Sequence, residues 1–240
     1  MNSQVTVFLL PFAGGSSYSY RNYMSYASDD FKIIPLEIPG RGKRMKENLL
    51  TDIDAIVEDV FGQIKDEISN IQYVIYGHSM GTLIAYLVTK RITECFLNPP
   101  LMLFLTGSRG PSVKRENDNY YLLPDDDFIS KVKILGGLPD EILKNSEILE
   151  FYLPILKADF EAVEKYEYEL TQPWSIPMEV RIGTADDTNL EEAQTWQHES
   201  TEETTVKQYE GDHFFIYNHT AEIITEMKDR IEQLLQRAIV

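Results

Sequence analysis

The pentapeptide Gly77-His78-Ser79-Met80-Gly81 is the stretch of this sequence best suited to covalent chemistry. The apolar run "YVIY" leads into it and the apolar "TLIAYLV" follows, so the serine stands where a strand turns into a helix. That is the context the G-x-S-x-G pattern requires. A turn of this kind is crowded, and the positions two before and two after the serine must be nearly free of side chain. Gly77 and Gly81 occupy them. The turn lifts the Ser79 hydroxyl clear of the sheet and leaves the Met80 N–H at the helix start, where it can bond a developing oxyanion.

A serine hydroxyl is a weak nucleophile and needs a base. The chain has four histidines. His78 adjoins the nucleophile, but neighbours on such a turn point apart, so it is expected to pack beneath it. His198, in "TWQHEST", reads as the end of a polar helix, and His219, in "YNHTAEI", as a position near a helix start. His213, in "YEGDHFF", follows the last strand and is the expected base. A carboxylate must orient it, and the order Ser…Asp…His places that acid between 79 and 213 at a strand end. "MEVRIGTADDTNL" offers Asp186 and Asp187. Asp186, three residues after Gly183, is preferred and Asp187 is the alternative, while Asp212 reads as a loop acid. The second oxyanion donor should come from the loop after the first strand, "LLPFAGGSSYSY". Its Gly14-Gly15 pair lets the backbone approach a substrate, with the Ala13 N–H as the expected donor and Phe12 as the alternative. No Gly-Lys-Ser/Thr follows to suggest a phosphate cradle. No Cys or His spacing suggests a metal, and Asp125–Asp127 suit the positive end of a helix start.

These residues need a frame. Apolar β-rich runs recur at 5–10, 31–38, 72–77, 101–107, 178–183 and 204–210. Helical spacing covers 51–69, with Thr51 and Asp54 resembling a capping box, and again 80–92 and 219–236. Alternating strands and helices imply an α/β fold, a mostly parallel central sheet flanked by helices. The alternation breaks over about 108–170, where roughly 60 residues of helical pattern exceed what a crossover needs. This stretch reads as a helical insertion and a candidate lid within one 1–240 domain. Phe128, Ile134, Leu135, Leu138 and Phe151 in it are candidates for lining an acyl channel.

With 22 Lys+Arg against 39 Asp+Glu the net charge is −17, which argues against nucleic acid or an anionic membrane as partner. Cys95 is the only cysteine, so no intrachain disulfide forms, in keeping with a reducing cytoplasmic setting. The N-terminal "MNSQVTVFLLPFAGG" lacks a basic leader region and its apolar run is too short to span a bilayer, so it is expected to be the first strand.

Taken together, "LPFAGGS", "PLEIPGRGKR", "YGHSMG", "LPDDDFISKVKILGGLP" and "GDHFF" closely resemble the type II thioesterases of nonribosomal peptide and polyketide assembly lines. The resemblance runs from about 5 to 236 and implies an α/β-hydrolase core with a helical lid. It implies hydrolysis of acyl groups from the phosphopantetheine arm of acyl or peptidyl carrier proteins, clearing stalled or mis-primed chains. Ser79 is then the nucleophile, His213 the base and Asp186 the acid. The enzyme would be a monomer with no cofactor of its own, the pantetheine arriving with the substrate. Thr82 departs from the family, which often has a second glycine after "GHSMG". The same fold also serves hydrolases or acyltransferases of oxyesters or acyl-CoA, which is the alternative reading. Carrier docking cannot rest on bulk charge, so the basic clusters Arg41, Lys43, Arg44 and Lys46, and Lys114 and Arg115, are candidate contacts.

Overall fold

The computed structural model describes residues 4–114, 119–134 and 145–237. Six strands form one sheet: β1 (Val5–Leu10), β2 (Phe31–Pro35), β3 (Gln72–His78), β4 (Leu103–Thr106), β5 (Met178–Gly183) and β6 (Thr204–Tyr209). Their order is β2-β1-β3-β4-β5-β6, and every pairing is parallel. Each strand matches an apolar run in the sequence to within a few residues. β1, β3, β4 and β5 are buried on both faces except at Gln72. For β1, β3 and β4 this is why they read as nearly continuous apolar stretches, whereas in β5 Glu179 and Arg181 alternate with apolar residues and are buried as an ion pair at 3.0 Å.

Helices cover both faces. The main ones are α1 (Arg21–Met24), α2 (Ile53–Ile64), α3 (Met80–Glu94), α4 (Asp125–Ile134), α5 (Ser146–Glu164), α6 (Leu190–Gln194), α7 (Phe215–Asn218) and α8 (Thr220–Arg237). Successive strand residues point to opposite faces, and the two cores show it. Phe8, Leu10, Tyr73 and Ile75 join α2 and α3 in one core. Val7, Leu9, Val74 and Tyr76 join α1, α7 and α8 in the other. The α2 cap falls one residue from the expected place: Asp52, not Thr51, accepts the Ala55 N–H at 2.9 Å. Asp is as good a cap as Thr, and its carboxylate also suits the helix dipole. Asp125–Asp127 lie in the first turn of α4, as their charge predicts.

Helices α4 and α5 fall between β4 and β5 and share a small core of Phe128, Val132 and Leu156. Among the described residues no helix is long and apolar enough to cross a membrane. The strand order reverses between β1 and β3: β2 lies on one side of β1, and the later strands lie on the other. The carboxyl ends at such a reversal open a crevice, and the loops after β1 and β3 both lead into it.

Candidate active site

Ser79 sits between β3 and α3 with φ +53° and ψ −118°, a backbone conformation that non-glycine residues rarely adopt. The crowding expected around it is present. A Cβ on Gly77 would lie 2.2 Å from the Gly81 carbonyl oxygen, and one on Gly81 would lie 2.7 Å from that of Leu10. The Ser79 N–H is tied to the Thr106 carbonyl at 2.9 Å. Thr82 reinforces the turn: its hydroxyl donates to the Ser79 carbonyl at 2.7 Å and its N–H to the same atom at 3.0 Å. Thr82 thus ties the Ser79 carbonyl to the start of α3 through both its hydroxyl and its N–H.

His213 stands on the loop after β6. Its Nδ1 pairs with Asp186 Oδ1 at 2.9 Å. A neutral imidazole facing a carboxylate carries its proton on Nδ1, which leaves Nε2 free to accept another. The Asp186 side chain is 1% exposed and that of His213 15%. Asp186 Oδ2, the other carboxylate oxygen, has no hydrogen-bond partner among the described residues, leaving Oδ1 to hold the imidazole. The acid and base loops interlock: Ala185 N–H donates to the Gly211 carbonyl at 2.8 Å. A Cβ on Gly183 would lie 2.4 Å from the Asp212 carbonyl, so the glycine before the acid makes room for the base loop. Asp187 turns away, pairing with Arg109 at 2.9 Å, and Asp212 is exposed and accepts the Phe214 N–H.

The other histidines fall where their surroundings imply. His78 is fully buried under the turn, its Nδ1 3.0 Å from Thr106 Oγ1. Its ring centroid lies 4.8 Å from that of His213, which fixes the base beside the residue preceding Ser79. Burial, together with the facing His213, holds the His78 pKa well below the usual imidazole value, so it stays neutral. His198 is exposed, and His219 contacts Glu222 and the Glu210 carbonyl.

The loop after β1 forms a turn closed by Gly15 N–H donating to the Phe12 carbonyl at 2.8 Å, with Gly14 at φ +74°. Ala13 is at its outer corner. Among the described residues neither the Ala13 nor the Met80 N–H has a hydrogen-bond acceptor, and Met80 is the first residue of α3. The Phe12 ring packs edge-on against His78 and Phe214. No group of three or more His, Cys, Asp and Glu among the described residues is arranged to hold a metal.

Several expectations about the surroundings are corrected. Arg41 is 1% exposed and bound to Asp159, so it cannot meet a partner protein. Arg44 is committed to Glu47 and Asp59. Lys43, Lys46 and Lys114 are exposed, and Arg115 lies outside the described residues. Phe128 is fully buried in the α4–α5 core and so lines no channel, whereas Ile134 and Phe151 are exposed; Leu135 and Leu138 lie outside the described residues. Sequence reasoning missed Thr106, whose place at the end of an apolar strand was the available signal. It also missed Asp159, an acid on the apolar face of α5.

The family model for the thioesterase domain matches residues 5–231. The gramicidin S biosynthesis protein GrsT of Aneurinibacillus migulanus is 30% identical over 234 residues, covering 97% of this chain and 91% of that protein. The structure of ClbQ from the colibactin NRPS/PKS pathway superposes with a TM-score of 0.91 at 28% identity, covering 97% of this chain and 98% of that one. The RedJ thioesterase from the prodiginine biosynthetic pathway in Streptomyces coelicolor gives 0.81 at 27% identity, covering 88% and 79%. The fold is therefore that of the thioesterase α/β-hydrolases, and the chain belongs to the thioesterase domain family, hydrolases that act on thioesters.

Proposed function

We propose that this protein is a type II thioesterase that hydrolyses acyl groups from the phosphopantetheine arm of carrier proteins in a nonribosomal peptide or polyketide assembly line, removing stalled or mis-primed chains. The observation that carries the chemical part is the Asp186–His213 pair at 2.9 Å, its carboxylate buried and its imidazole centroid 4.8 Å from that of His78, the residue before the strained Ser79. The similarity to GrsT and ClbQ, both named for such biosynthetic pathways, supports the biological part.

In this reading Asp186 holds His213 with its proton on Nδ1. His213 Nε2 takes the Ser79 proton as Oγ attacks the thioester carbonyl, and the carbonyl electron pair moves onto oxygen. The Ala13 and Met80 N–H groups receive that oxyanion, each donor contributing about 3–4 kcal/mol to lowering the barrier. Collapse expels the pantetheine sulfur, which takes the proton from His213. A water then gives a proton to His213 and attacks the acyl-serine. Its collapse releases the carboxylic acid and returns the proton to Ser79. The enzyme supplies no cofactor, because the pantetheine arm belongs to the substrate. The helices within 108–170 act as a lid over the crevice, and the enzyme works as a monomer.

The test is intact-mass spectrometry of a panel of acyl-loaded carrier proteins incubated with the wild type and with Ser79→Ala. Loss of the acyl mass with the wild type alone is expected. Undiminished hydrolysis by Ser79→Ala refutes the nucleophile assignment, and hydrolysis of acyl-CoA in preference to every carrier substrate refutes the carrier assignment.

A further inference from the structure

Two buried charges outside the Ser79, His213 and Asp186 group meet directly behind the Ala13 turn. Asp159, on α5, is fully buried, and Arg41, on the loop after β2, is 1% exposed. They form a bidentate pair, Nη1 to Oδ2 at 2.6 Å and Nη2 to Oδ1 at 2.7 Å. Asp159 Oδ2 also accepts the Gly14 N–H at 2.7 Å, and Arg41 Nη1 reaches the Gly15 carbonyl at 3.5 Å. Leu156, one turn earlier on α5, packs so closely that a Cβ on Gly14 would lie 2.7 Å from its Cδ2.

The turn that Asp159 touches has the marks of type II: a closing bond from Gly15 N–H to the Phe12 carbonyl, and positive φ at Gly14. Its central peptide, the Ala13 carbonyl and the Gly14 N–H, is the unit whose orientation separates type II from type I. Asp159 grips that unit through a charge-assisted bond, the strongest type available. An apolar pair of similar volume would join the same segments at little or no cost in stability, because two charges withdrawn from water are expensive. What an apolar pair cannot supply is an acceptor for the Gly14 N–H.

We propose that Asp159 is a positioning residue for the reaction. It fixes the Ala13–Gly14 peptide and so aims the neighbouring Ala13 N–H at the oxyanion, while Arg41 holds the carboxylate in place. The proposal rests on the reading of Ser79 as nucleophile and Ala13 as oxyanion donor. It makes the C-terminal part of α5 a component of the catalytic frame.

Asp159→Asn and the apolar double variant Arg41→Met/Asp159→Leu test it. Both are assayed on a p-nitrophenyl ester, with competent Ser79 counted by fluorophosphonate titration. That ester needs the nucleophile and the oxyanion donors but no carrier protein, so failure of the carrier reading leaves the test intact. Ser79→Ala, run alongside, reports separately on the nucleophile. The expected result is a fall of at least tenfold in kcat per titrated site in the double variant, which has no acceptor for the Gly14 N–H, and a smaller fall in Asp159→Asn, whose amide oxygen still accepts that N–H but without the charge, with KM within threefold in both. Affinity for a trifluoromethyl ketone, which forms a tetrahedral oxyanion adduct, should fall in parallel. The double variant should show this with its urea midpoint lowered by no more than the loss of one buried hydrogen bond explains. Unchanged kcat per titrated site, with only the midpoint or the titratable fraction lowered, overturns the proposal, as does a loss of kcat with undiminished ketone affinity. If the double variant does not fold, kcat per titrated site in Asp159→Leu, which likewise lacks the acceptor, decides the matter.

Discussion

Replacing Asp186 by Asn separates the charge of the acid from its shape. The wild-type pair sits at 2.9 Å, with the carboxylate 1% and the imidazole 15% exposed, so water screens it little. When His213 takes the Ser79 proton, a positive ring forms against a negative carboxylate. With charge centres about 4 Å apart and an effective permittivity of about 20, their attraction is about 4 kcal/mol. At about 1.4 kcal/mol per tenfold change, that is about a thousandfold in rate. Asn adds a second penalty, because its amide can donate to Nδ1 and leave His213 in the tautomer that cannot accept from Ser79. A loss of at least about a thousandfold in kcat/KM is therefore expected, with the fold intact by near-ultraviolet circular dichroism. Asp187→Asn is the internal control. Asp187 is 61% exposed and pairs with Arg109 at the surface, a bond of the kind worth about 0–1 kcal/mol. Its kcat/KM should stay within about threefold of wild type by the same estimate. Hydrolysis of an acyl-carrier thioester and of a p-nitrophenyl ester would measure both variants. An Asp186→Asn enzyme within tenfold of wild type, or an Asp187→Asn enzyme impaired as badly, would refute this account of the acid.

Two further outcomes follow from close contacts and from burial. Gly77→Ala forces a methyl to within 2.2 Å of a backbone oxygen, whereas a Cβ on Gly62, on the exposed side of α2, meets nothing within 4 Å. Urea denaturation should show Gly77→Ala destabilised by about 1–3 kcal/mol and inactive, and Gly62→Ala stabilised by about 0.5–1 kcal/mol at full activity; a harmless Gly77→Ala contradicts the elbow geometry. His78 is kept neutral in the fold by burial first and by the facing His213 second, so its folded pKa lies well below the unfolded value of about 6.5. Below that pH the unfolded chain binds a proton there that the folded chain does not, so stability falls as pH drops, by up to about 1.4 kcal/mol per pH unit. His78→Phe should show a shallower loss of stability between pH 6.5 and 5 than wild type; an identical slope removes His78 from the account.

Most strands were legible because burial on both faces favours apolar residue types. "VTVFLL" could be read as sheet interior without knowing its neighbours, and the structure buries every residue of it; "MEVRIG" is buried throughout as well, its Glu179 and Arg181 paired with each other at 3.0 Å. Ser79 was legible for a similar reason: the turn geometry permits so little at Gly77 and Gly81 that the pattern is nearly forced. The acid was less so. Asp186 and Asp187 are adjacent and chemically identical, and what separates them is Arg109, distant in sequence, which takes Asp187. Ile134 and Phe151, named from the sequence as candidates for lining an acyl channel, are exposed side chains of the insertion.

Arg41 was misread for a more instructive reason. In "PGRGKR" it stands among cations that are solvated or paired near the surface, and local context argues for the same fate. Its partner lies 118 positions away, and a bidentate pair has no local signature. The signal was on the other side. On α5 the buried residues Ile155, Leu156, Ala158, Ala162 and Val163 trace one apolar face, and Asp159 lies within it. A carboxylate cannot remain ionised on such a face without a cation or several donors. The helix therefore announces that a partner exists, though not which one. A single acid interrupting an otherwise apolar face marks a place where the insertion must touch something polar, and here that is Arg41 together with the turn carrying Ala13.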